Sequence, residues 1–240
     1  MKDRISKFKT VTCIVIAYNE EETIALAITE VIQELQRFNF ENIEVIVVDD
    51  GSTDKTGEIA HEVAQKNKEV RIIRHEKNKG PGSGIKTGIL NAKNDLICFH
   101  AADRQLDFAE VCSFIPVLDE YDMLIGERKD RPGYTLARLA VSKISIFLAK
   151  SMFGLKYRDY YFLYLYRKSV FLGMKLDSEG VFVVTEILVK ALKKGLKVGE
   201  ISVGCYPRKF GKATCGKPKI VLKTFWELIR FWFKQNFLNQ

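Results

Sequence analysis

The chain has 240 residues, 47% of them hydrophobic, and a formal net charge of +8, enough apolar material for one sizeable domain core. No apolar run reaches the roughly 20 residues that cross a bilayer. The opening residues 1–9 are polar and basic rather than a signal peptide, and the five cysteines form neither a CxxC pair nor a Cys/His cluster at zinc spacing, which reads as reduced thiols in a cytosolic protein. The positive charge calls for an anionic partner, whether nucleotide, phospholipid surface or nucleic acid, without choosing among them.

Residues 11–17 (VTCIVIA) form a continuous, largely β-branched run, the pattern of a central parallel strand covered on both faces. Asn19 is placed to cap a helix whose first turn carries Glu20, Glu21 and Glu22 and whose apolar positions recur at Ile24, Leu26, Ile28, Val31, Ile32 and Leu35. A second strand over 43–48 runs into the acidic turn Asp49-Asp50-Gly51-Ser52-Thr53-Asp54 and a helix to about Lys66. A third strand over 70–74 is followed by a glycine-rich stretch, a helix to Ala92 and a fourth strand over 95–99. This alternation implies parallel strands joined by right-handed crossovers. The glycine-rich stretch resembles a phosphate-binding P-loop, but Ile85 stands where glycine is required, and Gly80, Gly82 and Gly84 miss the dinucleotide spacing. It reads as a glycine turn entering a helix and admitting close backbone approach.

The fourth strand stops just before Ala101-Ala102-Asp103-Arg104-Gln105, which puts Asp103 beyond a carboxyl end, where open α/β sheets bind ligands. The plainer reading makes Asp103 the cap of a helix expected over about 107–118, or the side chain that closes a turn. Next come a strand over 122–126, a basic loop over 127–133, and an amphipathic helix over 134–153. That helix has Leu136, Leu139, Ala140, Ile144, Phe147 and Leu148 on its apolar side and Arg138, Lys143 and Lys150 as basic decoration. An aromatic segment (157–166), an apolar helix (181–192), a strand (197–203) and a basic loop (206–217) follow. In the final helix, 219–237, a broad face of Leu222, Phe225, Trp226, Ile229, Trp232 and Phe233 opposes Lys219, Lys223, Arg230 and Lys234. It reads either as a helix in a membrane interface or as one docked on a core.

Three loops should gather at one sheet edge: 17–20, 49–54 and 101–105. Together they offer a tyrosine face for a base, carboxylates for ribose or base N–H groups, and the oxygens of Asp103 and Gln105 for a hard cation, which are the needs of a nucleotide diphosphate. No Ser/His/Asp or Cys/His nucleophile accompanies them.

The segments IVIAYNEEETI (14–24), VIVVDDGSTDKT (45–56), NKGPGSGIKTGILNAKND (78–95), AADRQ (101–105), IGERK (125–129) and PRKFGKAT (207–214) resemble those of the inverting family 2 glycosyltransferases, particularly the dolichyl- or polyprenyl-phosphate mannosyltransferase-like branch. The resemblance implies the α/β GT-A fold over 1–217, a mostly parallel sheet flanked by helices, with a C-terminal amphipathic helix over 218–240. It implies transfer of a hexose, mannose or glucose, from a nucleotide-diphosphate sugar to a polyprenyl or dolichyl phosphate by a peripheral protein on the cytoplasmic face of a membrane. By the same resemblance Ala17, Tyr18, Glu20 and Asp49 hold base and ribose, and Asp103 and Gln105 hold Mg2+ or Mn2+. Arg128 and Arg138 grip the acceptor phosphate and act with Asp103 in catalysis, and Arg208 folds over the diphosphate. Glu186 either borders the site or simply pairs with Lys190 along its helix.

A lipid phosphate is ionised at neutral pH and needs no strong general base, so catalysis falls to the cation and arginines that neutralise the leaving diphosphate. The chain departs from the pattern at Ala101, where the family has the first aspartate of Asp-Ala-Asp, after Asp159, where bulky aromatics replace Ser-Gly-Phe, and at Thr214, where a serine is frequent. Weaker metal binding or metal independence and a reshaped acceptor pocket follow. Two further readings stand beside the first: a saccharide or cell-surface polymer as acceptor, and a pseudoenzyme that binds nucleotide sugar without turnover. Nucleic acid is not expected as a partner, since no recognised module accompanies the charge.

Overall fold

A computed structural model describes residues 6–131, 133–159, 163–208, 210 and 218–238. Residues 160–162 of the aromatic segment and 211–217 of the basic loop, with Thr214 and Cys215, lie outside the described residues. Seven strands, β1 (Thr10–Ala17), β2 (Asn42–Asp49), β3 (Val70–Arg74), β4 (Leu96–Ala101), β5 (Met123–Arg128), β6 (Leu163–Arg167) and β7 (Val198–Val203), join in one sheet of order β3-β2-β1-β4-β6-β5-β7. Strands β1 to β4 are mutually parallel, as are β5 and β7, and β6 runs antiparallel between β4 and β5. The carboxyl ends of β1, β2 and β4 therefore open on one edge, where the three acidic loops begin.

Along β1 the side chains alternate between two buried layers, as the pleat requires. Val11, Cys13 and Val15 face α1 (Ile24–Leu35) and α4 (Phe108–Ser113) on one side. Ile14, Ile46 and Ile97 face the other, where Val183, Ile187 and Leu188 of α6 (Val183–Lys193) and Leu228 and Phe231 of α7 (Pro218–Phe233) complete the core. The remaining helices are α2 (Thr56–Lys66), α3 (Pro81–Asn91) and α5 (Leu136–Phe153).

Several local expectations change. Helix α1 begins at Ile24, and its first turn holds none of the three glutamates. Asn19, at φ 55°, turns the chain instead, and its Oδ1 accepts from Thr53 N at 2.8 Å, which ties the first loop to the second rather than capping a helix. The cap of α4 is Asp107, accepting from Ala109 N at 2.9 Å and Glu110 N at 3.3 Å, whereas Asp103 Oδ1 accepts from Gln105 N at 3.2 Å and closes its own turn. Helix α4 stops at Ser113, and a 3-10 turn over Ile115–Glu120, with a proline in its first turn, replaces the rest of the expected helix.

The aromatic segment supplies β6, which the sequence pattern did not mark as a strand; Tyr166 is fully buried there, edge-on to Phe99 at 5.8 Å. In α5 the expected apolar side points outward: Leu136, Ile144 and Phe147 are exposed, whereas Ser145, Ile146 and Ala149 are buried. The same holds for α7, which seats Thr224, Glu227, Leu228 and Phe231 on the core and leaves Leu222, Trp226, Ile229 and Phe233 exposed.

The segment 177–180 links these parts. Glu186 accepts from Asp177 N at 2.9 Å and Ser178 N at 2.8 Å, and Glu227 of α7 accepts from Glu179 N at 3.1 Å and Gly180 N at 3.0 Å. Glu186 is fully buried and also pairs with Lys190, so it is an anchor of this segment. On its other side the segment meets α3: Ser83 N donates to Glu179 O at 3.2 Å, and a Cβ at Gly82 would lie 2.2 Å from Gly180 O. The glycine-rich stretch thus serves backbone packing, as its turn reading expected.

Candidate active site

The first two loops are laced together before any ligand arrives. Asp50 N donates to Ala17 O at 2.9 Å, Asn19 N to Ser52 Oγ at 3.0 Å, and Glu20 N to Thr56 Oγ1 at 2.8 Å. Ala17 is buried at the end of β1, and Tyr18 is half-buried beside it. Asp49 is fully buried; its Oδ1 accepts from Ser52 N at 2.9 Å, and Oδ2 lies 3.3 Å from Arg74 Nε. Asp50 accepts from Lys79 N at 3.0 Å and Gly80 N at 2.8 Å and lies 2.7 Å from His75 Nδ1, fixing the loop that enters α3.

The third loop is locked to the late basic loop. Arg104 takes φ 51°, a left-handed turn that a non-glycine residue adopts at some cost, and its Nε donates to Glu30 at 2.8 Å. Tyr206 N donates to Gln105 O at 2.8 Å, Gln105 Nε2 to Tyr206 O at 3.4 Å, and Leu106 bridges to Cys205. This zipper carries Arg208 across the edge, where its guanidinium pairs with Glu20 and lies 3.7 Å from Asp103 Oδ2.

Glu20, Asp103 and Arg208, drawn from three separate loops, therefore meet. Burial pushes the Glu20 carboxyl up to about 7; Arg208 opposes the rise, and the charge of Asp103 adds to it. Asp103 is likewise raised by burial, against the pull of Arg208, the Gln105 amide and Arg138. His100, inside β4, is pushed down to about 3 by burial and by Arg104, so its ring stays neutral at working pH.

Next to this triad a cavity is lined by Gln105, Arg128, Asp130, Arg131, Tyr134, Cys205 and Tyr206. Arg128 extends from β5 and donates from Nη1 to Tyr134 Oη at 2.8 Å. Burial lowers its affinity for a proton, and the adjacent Asp159 more than restores it. Arg138, in the first turn of α5, lies over the Tyr134 ring, 3.8 Å from its centroid. The structure thus brings together Glu20, Asp103, Gln105, Arg128, Arg138 and Arg208, with Ala17, Tyr18 and Asp49 on the adjoining edge. It adds Arg131 and Tyr134, which sequence reasoning did not single out for the site, and Asp159, which it named only as the point where the chain leaves the family pattern; the arginine lay in a loop noted only as basic. Cys205 is no nucleophile, since burial pushes its thiol up to about 11.

For a divalent cation the chain offers one carboxylate, Asp103, and one amide, Gln105. Among the described residues no three His, Cys, Asp or Glu side chains gather. Magnesium is commonly held by one or two carboxylates with substrate phosphates completing the shell, so this pair fits as a half-site that a bound diphosphate would finish. Gln105 keeps its oxygen for that purpose, because its amide nitrogen donates to Tyr206.

The pattern of the family described as "Glycosyl transferase family 2" matches residues 12–174. Dolichol-phosphate mannosyltransferase from Pyrococcus furiosus is 31% identical over 229 residues, covering 92% of this chain and 62% of its own length. Dodecaprenyl-phosphate galacturonate synthase from Rhizobium johnstonii is 29% identical over 203 residues, with 83% and 60% covered. The chain thus spans about three-fifths of these relatives' length. Among solved structures, glucosyl-3-phosphoglycerate synthase from Mycobacterium tuberculosis with Mn2+, UDP-glucose and phosphoglyceric acid superposes with a TM-score of 0.69 at 15% identity, covering 93% of this chain and 80% of that one. The fold is of the GT-A class. The chain belongs to glycosyl transferase family 2.

Proposed function

We propose that this protein transfers a hexose, mannose or glucose, from a nucleotide-diphosphate sugar to a polyprenyl phosphate with inversion, at the cytoplasmic surface of a membrane. The observation that carries the reading is the continuity of the Glu20–Asp103–Arg208 cluster with the arginine-lined cavity through Gln105. The relatives named for transfer to dolichyl and dodecaprenyl phosphates support a lipid phosphate as acceptor.

In this reading the loops after β1 and β2 hold the nucleoside, Tyr18 supplying a face for the base and Asp49 fixing the turn beneath it. Arg208 exchanges its bonds to Glu20 and Asp103 for the diphosphate oxygens. Arg128 and Arg138 hold the acceptor phosphate, whose oxygen forms the new bond to the anomeric carbon as the bond to the diphosphate breaks and its electron pair leaves with the nucleotide. No proton has to be removed from an ionised phosphate. Asp103 and Gln105 would hold a divalent cation, which would supply further neutralisation of the leaving group, and the arginines share that load.

Residues 1–217 form the catalytic domain in this scheme, and the helix within 218–240 lies on the bilayer. The outward apolar residues of α5 and α7, with Lys219, Lys223 and Arg230 nearby in sequence, suit an anionic lipid surface. No helix among the described residues is long and apolar enough to cross a membrane.

The test is label transfer from GDP-mannose and from UDP-glucose, separately, into a short-chain polyprenyl phosphate or 3-phosphoglycerate, with and without Mg2+ or Mn2+. Label in the lipid, reduced about 100-fold or more by Asp103→Asn, supports the reading. Label in phosphoglycerate alone replaces the lipid with a small acceptor. Donor binding without label in any acceptor favours a non-catalytic relative.

A further inference from the structure

The wall that carries Arg128 holds two further groups, Asp159 and Arg131, with no part in the scheme above. Asp159 is 1% exposed and lies behind the cavity. Its carboxylate accepts from Arg128 Nε at 2.7 Å and Nη2 at 3.3 Å, and from Arg131 Nη2 at 2.9 Å. Arg131 is tied in turn to Ser142 Oγ of α5. Two guanidinium groups thus share one carboxylate and keep a net positive charge on the cavity wall, with Asp130 on the same wall and Arg138 over Tyr134 beside it.

Withdrawing such a cluster from water gains little stability, because desolvation of the ions offsets their attraction. Its value lies in geometry. Guanidinium forks match phosphate oxygens two at a time, and a fork already held in place loses less freedom when it binds. Both Asp159 oxygens are engaged by guanidinium N–H groups, so the carboxylate works through the arginines and not on the reacting atoms.

We propose that Asp159 is a positioning residue of the acceptor site, holding Arg131 beside Arg128 so that the two guanidinium groups receive one phosphate monoester together. This rests on the acceptor reading above, and it adds Arg131 as the second recognition group.

The experiment measures calorimetric binding of a ten-carbon isoprenyl phosphate, the matching alcohol, and 3-phosphoglycerate to the full chain, together with acceptor KM and kcat. Arg131→Ala should weaken phosphate-monoester binding and raise acceptor KM by about 10–100-fold, with donor affinity and kcat nearly unchanged. Asp159→Asn should reproduce that change, Asp159→Glu should recover part of it, and adding Asp159→Asn to Arg131→Ala should worsen it little, since Asp159 acts through the arginine. A fall in kcat at constant KM in Asp159→Asn, with loss of one limb of the pH profile, would make Asp159 a general base and overturn the proposal. Unchanged binding in Arg131→Ala overturns it too, as does a wild-type chain that binds no phosphate monoester. Arg131-dependent binding of phosphoglycerate but not of the lipid keeps the cluster's role and removes the lipid acceptor.

Discussion

Glu20 stands where burial and two neighbours act on one carboxyl. Its value of about 7 exceeds the ordinary 4.5, so the folded chain holds this proton over a range in which the unfolded chain has released it. The stability that Glu20 contributes is present below about 4.5 and is lost as pH rises toward 7. Glu20→Gln lacks this term, so its Tm relative to wild type should rise from about pH 5 to about pH 7 and level off above. A constant difference in Tm across that range, measured by calorimetry, would mean that Glu20 is ionised throughout. The residues that meet here were only partly legible in the sequence. Glu20, Asp103 and Gln105 follow strands and can be placed at an edge by chain order. Asp159 and Arg131 are 28 residues apart and join only because β6 folds back beside β5, a pairing that no local pattern encodes.

Among the elements, six of the seven strands were readable as short apolar runs between turns. Strand β6 was hidden because tyrosines and leucines succeed one another there without a polar alternation. Helix α5 shows a second limit: periodicity finds an apolar side but not what covers it, and three of the residues on that side face outward. Helix α3 was placed correctly, and its glycines have a use that spacing alone could not give. At Gly82 a methyl group would press on the carbonyls of Glu179 and Gly180, at 2.4 and 2.2 Å. Gly82→Ala should therefore cost about 1–3 kcal/mol in denaturant unfolding, as overpacking does. An unchanged midpoint would show that segment 177–180 yields readily.

For the molecule as a whole, the two outward faces of α5 and α7 combine with a positive net charge to favour an anionic bilayer. Vesicles containing phosphatidylglycerol should sediment with the protein, less so at high salt, and Trp226→Ser with Phe233→Ser should release most of it. A wild-type chain that ignores such vesicles would send these faces to a protein partner instead. The seat of α7 also orders events during synthesis. The amide of Gly180 awaits a carboxylate 47 residues downstream, and Gly82 of α3 leans on the same segment. A nascent chain can complete its sheet while this joint is still open. The joint between α3 and segment 177–180 is clamped only when α7 docks, so the packing beneath the sheet is finished after the sheet itself and not before.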